Sequence, residues 1–216
     1  MASDNNPWVS WTYIQTHTAE LMAAGREHIL LTVFSMVLAI VVAFPLALIV
    51  RRYPGLRSAV LNTSAGLYTI PSLALISALW PVFGLTPTTV ILALALYALL
   101  VVLRNIIVGF EQVPADVLDA ARGMGLSDSQ MLRKVELPMA MPTILAGIRV
   151  ATVSTVGMVT IGALVGYGGY GGMILSGFVQ NFWHAQILTA TVACVLLAVA
   201  FELILLGIQK ATVRWR

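Results

Sequence analysis

The stretch ILLTVFSMVLAIVVAFPLALIV, residues 29–50, holds 22 positions without a charge and stops at Arg51, Arg52 and the turn signal Tyr53-Pro54-Gly55. As a helix it would be about 33 Å long at 1.5 Å per residue, enough to cross about 30 Å of hydrocarbon. The pattern recurs along the chain. Residues 59–83 form a second apolar run, broken by Pro71 and Pro81, that reads as one kinked span whose freed carbonyls are satisfied by neighbouring helices. A short loop, residues 84–87, leads into a third run over 88–110, with Arg104 near one end and its long stem within reach of headgroups. Residues 142–166 are rich in Ala, Gly, Ser and Thr, the small residues that let membrane helices approach closely, which places this run inside the bundle. A fifth run covers 185–208. The fold class is therefore all-α, an integral membrane protein with about five transmembrane helices.

Composition leads to the same place: 59% of the 216 residues are hydrophobic and 10% are charged, against about 25% charged in soluble domains. The net charge is +3 and the pI about 9.3, but the bases lie beside apolar segments, a pattern that suits lipid headgroups and not nucleic acid. Cys194 is the one cysteine, so the chain can form no internal disulfide. Residues 1–27 carry Asp4, Glu20 and Glu27 against Arg26 as the one strong base, unlike a cleaved signal, so the first run is read as a retained span. The positive-inside rule then sets the orientation. Five spans with an inner carboxyl end collect Arg51, Arg52, Arg57, Arg104, Arg122, Arg133, Lys134, Arg149, Lys210, Arg214 and Arg216 on the cytoplasmic side, leaving only Arg26 outside. The organisation expected is an external segment 1–27, a membrane domain 28–210 with a cytoplasmic loop 111–138, and a cytoplasmic tail 211–216.

The cytoplasmic loop reads as two short helices joined by a corner. Pro114 suits a first helical turn and Asp116 adds charge near its positive end. The helix is expected to stop at Gly125, which can adopt the left-handed conformation that ends helices. Ser127 and Gln130 have capping-box spacing and start the second helix, which Leu137-Pro138 is expected to end. Val117, Ala121 and Met124 share a face at i, i+4 and i+7, with Ala120 and Ala121 keeping it shallow enough to seat in a partner's groove.

Asp119-Ala120-Ala121, then Gly125, then Val135-x-Leu137-Pro138 resembles the EAA loop of binding-protein-dependent ABC importer permeases, with Asp for the usual Glu and Val for the frequent Ile. The resemblance extends through Tyr68-Thr69-Ile70-Pro71-Ser72-Leu73-Ala74, Tyr97-Ala98-Leu99-Leu100, Arg104-Asn105 and Ala146-Gly147-Ile148-Arg149, and points to the glycine betaine, carnitine and choline branch. It departs at Val101-Val102, where a proline is expected, and at residues 166–172, where tyrosines interrupt the glycine pattern. The resemblance implies a methionine-importer-like core in the cell membrane, working as half of a dimeric pore with a second copy or a paralogue. An ATP-binding cassette ATPase dimer and an external substrate-binding protein complete the complex. Asp119, Ala120, Ala121, Gly125, Leu137 and Pro138 are its implied ATPase-coupling residues. No Gly-x-x-x-x-Gly-Lys-Ser/Thr motif is present, so the chain is expected to bind no cofactor itself and to leave ATP and Mg to the partner.

Other readings stay open. Residues 114–138 would also suit an amphipathic connector on the membrane surface, with Arg133 and Lys134 at the headgroups. Val165-Gly166-Tyr167-Gly168 has the order of a carbonyl-lined ion filter, though its position after a full span favours a flexible outer turn. Arg149 and Glu202 are read as snorkelling or mutually paired, or as transport groups. His17, His28 and His184 are read as interfacial, and Trp8, Trp11, Trp183 and Trp215 as an aromatic belt. Tyr68, Ser72, Tyr97 and Thr155, polar or aromatic positions inside spans, are the candidates for the pathway. A permease for another small solute such as an amino acid, an ion channel and a non-transporting scaffold are the competing functions. Conduction by the chain alone would favour the channel, and absence of an associated ATPase the scaffold.

Overall fold

The computed structural model describes residues 6–212, and within them every regular element is helical. A short α1 (Trp11–Thr16) precedes α2 (Thr18–Arg52), a tight turn at Pro54–Leu56, α3 (Arg57–Thr69), α4 (Ser72–Phe83) and α5 (Pro87–Glu111). Then come the small helices α6 (Ala115–Gly123) and α7 (Asp128–Met131), α8 (Leu137–Val159), α9 (Tyr170–Val179) and α10 (His184–Thr212). Four rods are long and apolar enough to cross a membrane: α2, α5, the continuous helical stretch Asp128–Val165, and α10. A fifth span is made if α3 and α4 count as one broken unit.

Small residues decide how these rods meet, because lipid is as apolar as a side chain and close backbone contact is what association rewards. Ala39, Ala43 and Ala47 recur every fourth residue on α2 and are all but inaccessible against Ala95, Ala98, Leu99, Val102 and Leu103 of α5. On the other side of α5, a Cβ added at Gly109 would lie 3.1 Å from the Ala140 carbonyl, and one added at Gly147 would lie 2.2 Å from the Asn105 Cβ. Helix α5 is thus the centre of the bundle, with α2, α3, α4 and α8 packed around it and α10 against α8 and α9.

Three boundaries depart from the sequence reading. The helix that holds the first apolar run begins at Thr18, ahead of residue 29, since no breaker separates the polar turns around Glu20 and Glu27 from that run. The second run bends by 95° at Ile70-Pro71, more than a kink, while Pro81 is absorbed inside α4. Leu137-Pro138 does not end the second loop helix. Pro138 has no N–H to donate and its ring would crowd the carbonyl four residues back, so the backbone widens into a π-turn over Leu132–Glu136 and continues into α8. The outer turn after Gly166 is also not a free loop. Gly166 ends the preceding helical turn at φ +89°, and residues 170–179 then form α9, whose Gly171 and Gly177 lie tight against Thr160 and Ile187. The tail 213–216, with Arg214, Trp215 and Arg216, lies outside the described residues, as do residues 1–5.

Candidate functional site: the helical corner at the basic end

The end of the molecule that bears Arg51, Arg52, Arg57, Arg122, Arg133 and Lys134 carries a corner made by α6 and α7. Asp116 lies in the first turn of α6 and Arg122 in the last, each opposite in sign to the end of the helix dipole it faces. The helix closes with two characteristic bonds: the Gly125 N–H donates to the Arg122 carbonyl at 2.9 Å and the Leu126 N–H to the Ala121 carbonyl at 3.2 Å. That pairing satisfies two orphan carbonyls and requires a left-handed residue between them, which Gly125 supplies at φ +78°. Nothing lies within 4 Å of a Cβ placed there, so only conformation selects glycine. Helix α7 opens with the reciprocal capping box expected: the Gln130 N–H donates to Ser127 Oγ at 3.4 Å and the Ser127 N–H to Gln130 Oε1 at 2.9 Å.

The coupling candidates divide into two groups. Asp119, Ala120 and Gly125 lie at the surface, whereas Ala121 is buried and Leu137 and Pro138 are half-buried at the start of α8. The expected docking face Val117-Ala121-Met124 is therefore split. Ala121 packs inward, Val117 is half-buried and Met124 stands 74% exposed, so the outward surface of α6 runs through Asp116, Asp119, Ala120, Gly123 and Met124. Asp119 and Arg122 pair at 2.9 Å on that surface, both well exposed, an interaction worth about 0–1 kcal/mol.

Two ion pairs not foreseen from the sequence join helix ends beside the corner. Arg51, in the last turn of α2, forks onto Glu136 with Nε donating to Oε2 and Nη2 to Oε1, the latter at 2.7 Å. The side chains are only 25% and 9% exposed. Arg57 at the start of α3 makes the same fork with Glu111 at the end of α5, at 2.6 and 3.2 Å, but in a largely exposed setting. Between these pairs lies a cleft of about 380 Å³ walled by Arg52, Leu118, Arg122 and Asp128 among others. The available signal was a single Glu next to Arg133 and Lys134. A separation of 85 residues from Arg51 hid its partner.

The pathway candidates also divide. Tyr97 is buried, its hydroxyl donates to the Ile70 carbonyl at the break, and its ring meets Tyr68 edge to face at 5.7 Å. Ser72 begins α4 just beyond the same break, next in the chain to Pro71. Thr155 does not join them: it is buried, bonded to the Ala151 carbonyl at 2.8 Å and turned towards Met36 of α2. Arg149 and Glu202 form a mutual pair between α8 and α10, with Gln209 as a further partner at 2.8 Å. The Tyr167 N–H donates to Gly162 O at 3.0 Å, and the Tyr167 carbonyl is packed on Gly162 rather than lining an opening. His28 is not interfacial but fully buried, bonded to the Val156 carbonyl at 2.9 Å. His17 stacks on Tyr13 and His184 on Trp8. Among the described residues no group of His, Cys, Asp and Glu could hold a metal ion.

The profile of the family described as "Binding-protein-dependent transport system inner membrane component" matches residues 29–216. The glycine betaine/carnitine/choline transport system permease protein OpuCD of Bacillus subtilis (strain 168) is 34% identical over 200 residues, covering 93% of this chain and 87% of that protein. The osmoprotectant import permease protein OsmW of Salmonella typhimurium is 33% identical over 202 residues, covering 91% of this chain and 94% of that protein. Among solved structures, an inward-facing form of the MetNI methionine ABC transporter superposes with a TM-score of 0.82 over 91% of this chain and 98% of that chain, at 21% identity, a likeness of fold. The chain belongs to the inner membrane component family of binding-protein-dependent transport systems, as a multi-pass permease subunit of an ABC importer.

Proposed function

We propose that the chain forms half of a dimeric pore that imports a quaternary-amine osmoprotectant such as glycine betaine, carnitine or choline. The amino-terminal segment lies outside, and the α6–α7 corner and the carboxyl end lie in the cytoplasm. The corner docks the ATPase dimer through Asp119, Ala120 and Gly125, with Ala121, Leu137 and Pro138 shaping it from within. ATP and Mg bind to that partner, and this chain contributes no catalytic group. Tyr68, Ser72 and Tyr97 border the pathway at the α3–α4 break, where the rings offer a weak cation-π surface to a passing ammonium. An external binding protein delivers the solute to the opposite face.

The observation that carries the reading is the pre-shaped corner itself. It presents Asp119, Ala120 and Met124 to solvent at the basic end of a chain whose relatives include permeases named for these solutes. Complex reconstituted with its ATPase and binding protein should take up labelled glycine betaine, carnitine or choline only with ATP. Uptake of methionine with indifference to every quaternary amine would move the chain to an amino-acid branch. Passive ion conduction by the permease alone would replace the importer by a channel.

A further inference from the structure

We propose that Arg51 and Glu136 are a positioning pair through which movement of the α2–α8 unit reaches the ATPase-coupling corner; the inference rests on the coupling reading given above. Helices α2 and α8 are fastened to each other at both ends. At one end His28 is held as a single neutral tautomer: Nδ1 accepts the Tyr170 N–H at 3.3 Å, so Nε2 carries the proton and donates it to the Val156 carbonyl at 2.9 Å. Next to it Glu27 accepts the Gly169 N–H at 3.2 Å, so the same helix end also holds the start of α9. At the other end stands the Arg51–Glu136 fork. The two fastenings are about 34 Å apart along α2 and about 30 Å apart along α8 at 1.5 Å per residue, the thickness of the hydrocarbon. Both helices run on between the fastenings, past Pro45 in α2 and Pro142 in α8, so a displacement at the α9 end can reach the other end as movement of the fastened α2–α8 pair.

Whether the corner follows depends on its attachment. Helix α6 packs on α7 and on the π-turn, and the π-turn is the one stretch where the α ladder leading into α8 is interrupted. Glu136 is the last residue of that stretch, and its carboxylate reaches back to the end of α2. A guanidinium fork sets direction as well as distance, because both bonds must align at once, which a lysine point charge or an apolar contact does not require. Stability alone does not call for such a pair, since apolar residues of similar volume often replace a buried ion pair without loss.

That difference gives the test. Single variants Arg51→Met or Glu136→Met strand one charge and should lower protein yield. The double variant Arg51→Met/Glu136→Met should keep normal membrane level, Tm and ATPase co-purification. Coupling between distant sites is typically worth about 5–150-fold, so its hydrolysis should lose at least about fivefold of the stimulation by loaded binding protein, with a matching fall in solute moved per ATP. Arg51→Lys should fall between the double variant and the natural protein. Retention of full stimulation and stoichiometry by the double variant overturns the proposal. Loss of ATPase association in that variant overturns it too, since the pair would then shape the docking surface and not transmit. Failure of the coupling reading itself appears elsewhere, as unaltered ATPase association and transport when the exposed face of α6 is changed.

Discussion

At the scale of single residues, two glycines illustrate how the same side chain is required for unrelated reasons. Gly147 is needed for space, because any Cβ would overlap Asn105 on α5. Overpacking of this kind costs about 1–3 kcal/mol, so Gly147→Val should lower membrane level and Tm in a detergent extract. Gly125 is needed for conformation, in open surroundings at φ +78°. A β-branched residue there carries a penalty of about 1–2 kcal/mol and should turn α6 away from its expected seat. Gly125→Val and Asp119→Lys are expected to insert normally while ATPase co-purification and stimulated hydrolysis fall. Gly125→Asn, which tolerates the left-handed region, should retain both. If Gly125→Val kept full association and transport, the corner would be a surface connector.

At the scale of elements, the break between α3 and α4 depends on a bond supplied from α5. The Ile70 carbonyl stands at the end of α3, where the helix stops and no residue four positions on continues its ladder, and Tyr97 donates to it instead. Tyr97→Phe removes the partner of a part-buried acceptor, a loss of about 0.5–1.5 kcal/mol. Uptake and Tm are expected to drop while ATPase association, which depends on the far corner, stays unchanged; equal uptake by the phenylalanine variant would remove the break from the pathway. The spans, the Gly125 turn and the Ser127 capping box were legible because each is a local pattern of apolar length or donor spacing. Legibility failed where a distant partner decides. The bend at Pro71 needs Tyr97 from 26 residues on, the inward turn of Ala121 needs the neighbouring helices, and Arg51 needs Glu136. Pro138 was misread for a different reason: proline usually stops a helix, but a π-turn before it lets the rod continue.

At the scale of the whole molecule, one chain leaves Val150, Val153, Ser154 and Gly157 of α8 exposed, a face that a dimeric pore would cover with the second subunit. Charge predicts the orientation such a pore would take. Arg51, Arg52, Arg57, Arg122, Arg133 and Lys134 gather at the end carrying the corner, and the fork between Arg51 and Glu136 places the end of α2 and the start of α8 at one level. The turn between α4 and α5 lies at the other end of α5, about 36 Å away at 1.5 Å per residue. Bases within reach of span ends are retained in the cytoplasm, so the corner should face inward. With Cys194 replaced by alanine, a cysteine introduced at Thr86 should react in intact cells with an impermeant maleimide, and one at Asp128 only after the membrane is opened. The two positions flank a single transmembrane rod, so each serves as the control for the other. Labelling of Asp128→Cys from outside, with Thr86→Cys protected, would invert the chain and put the corner out of reach of any cytoplasmic ATPase.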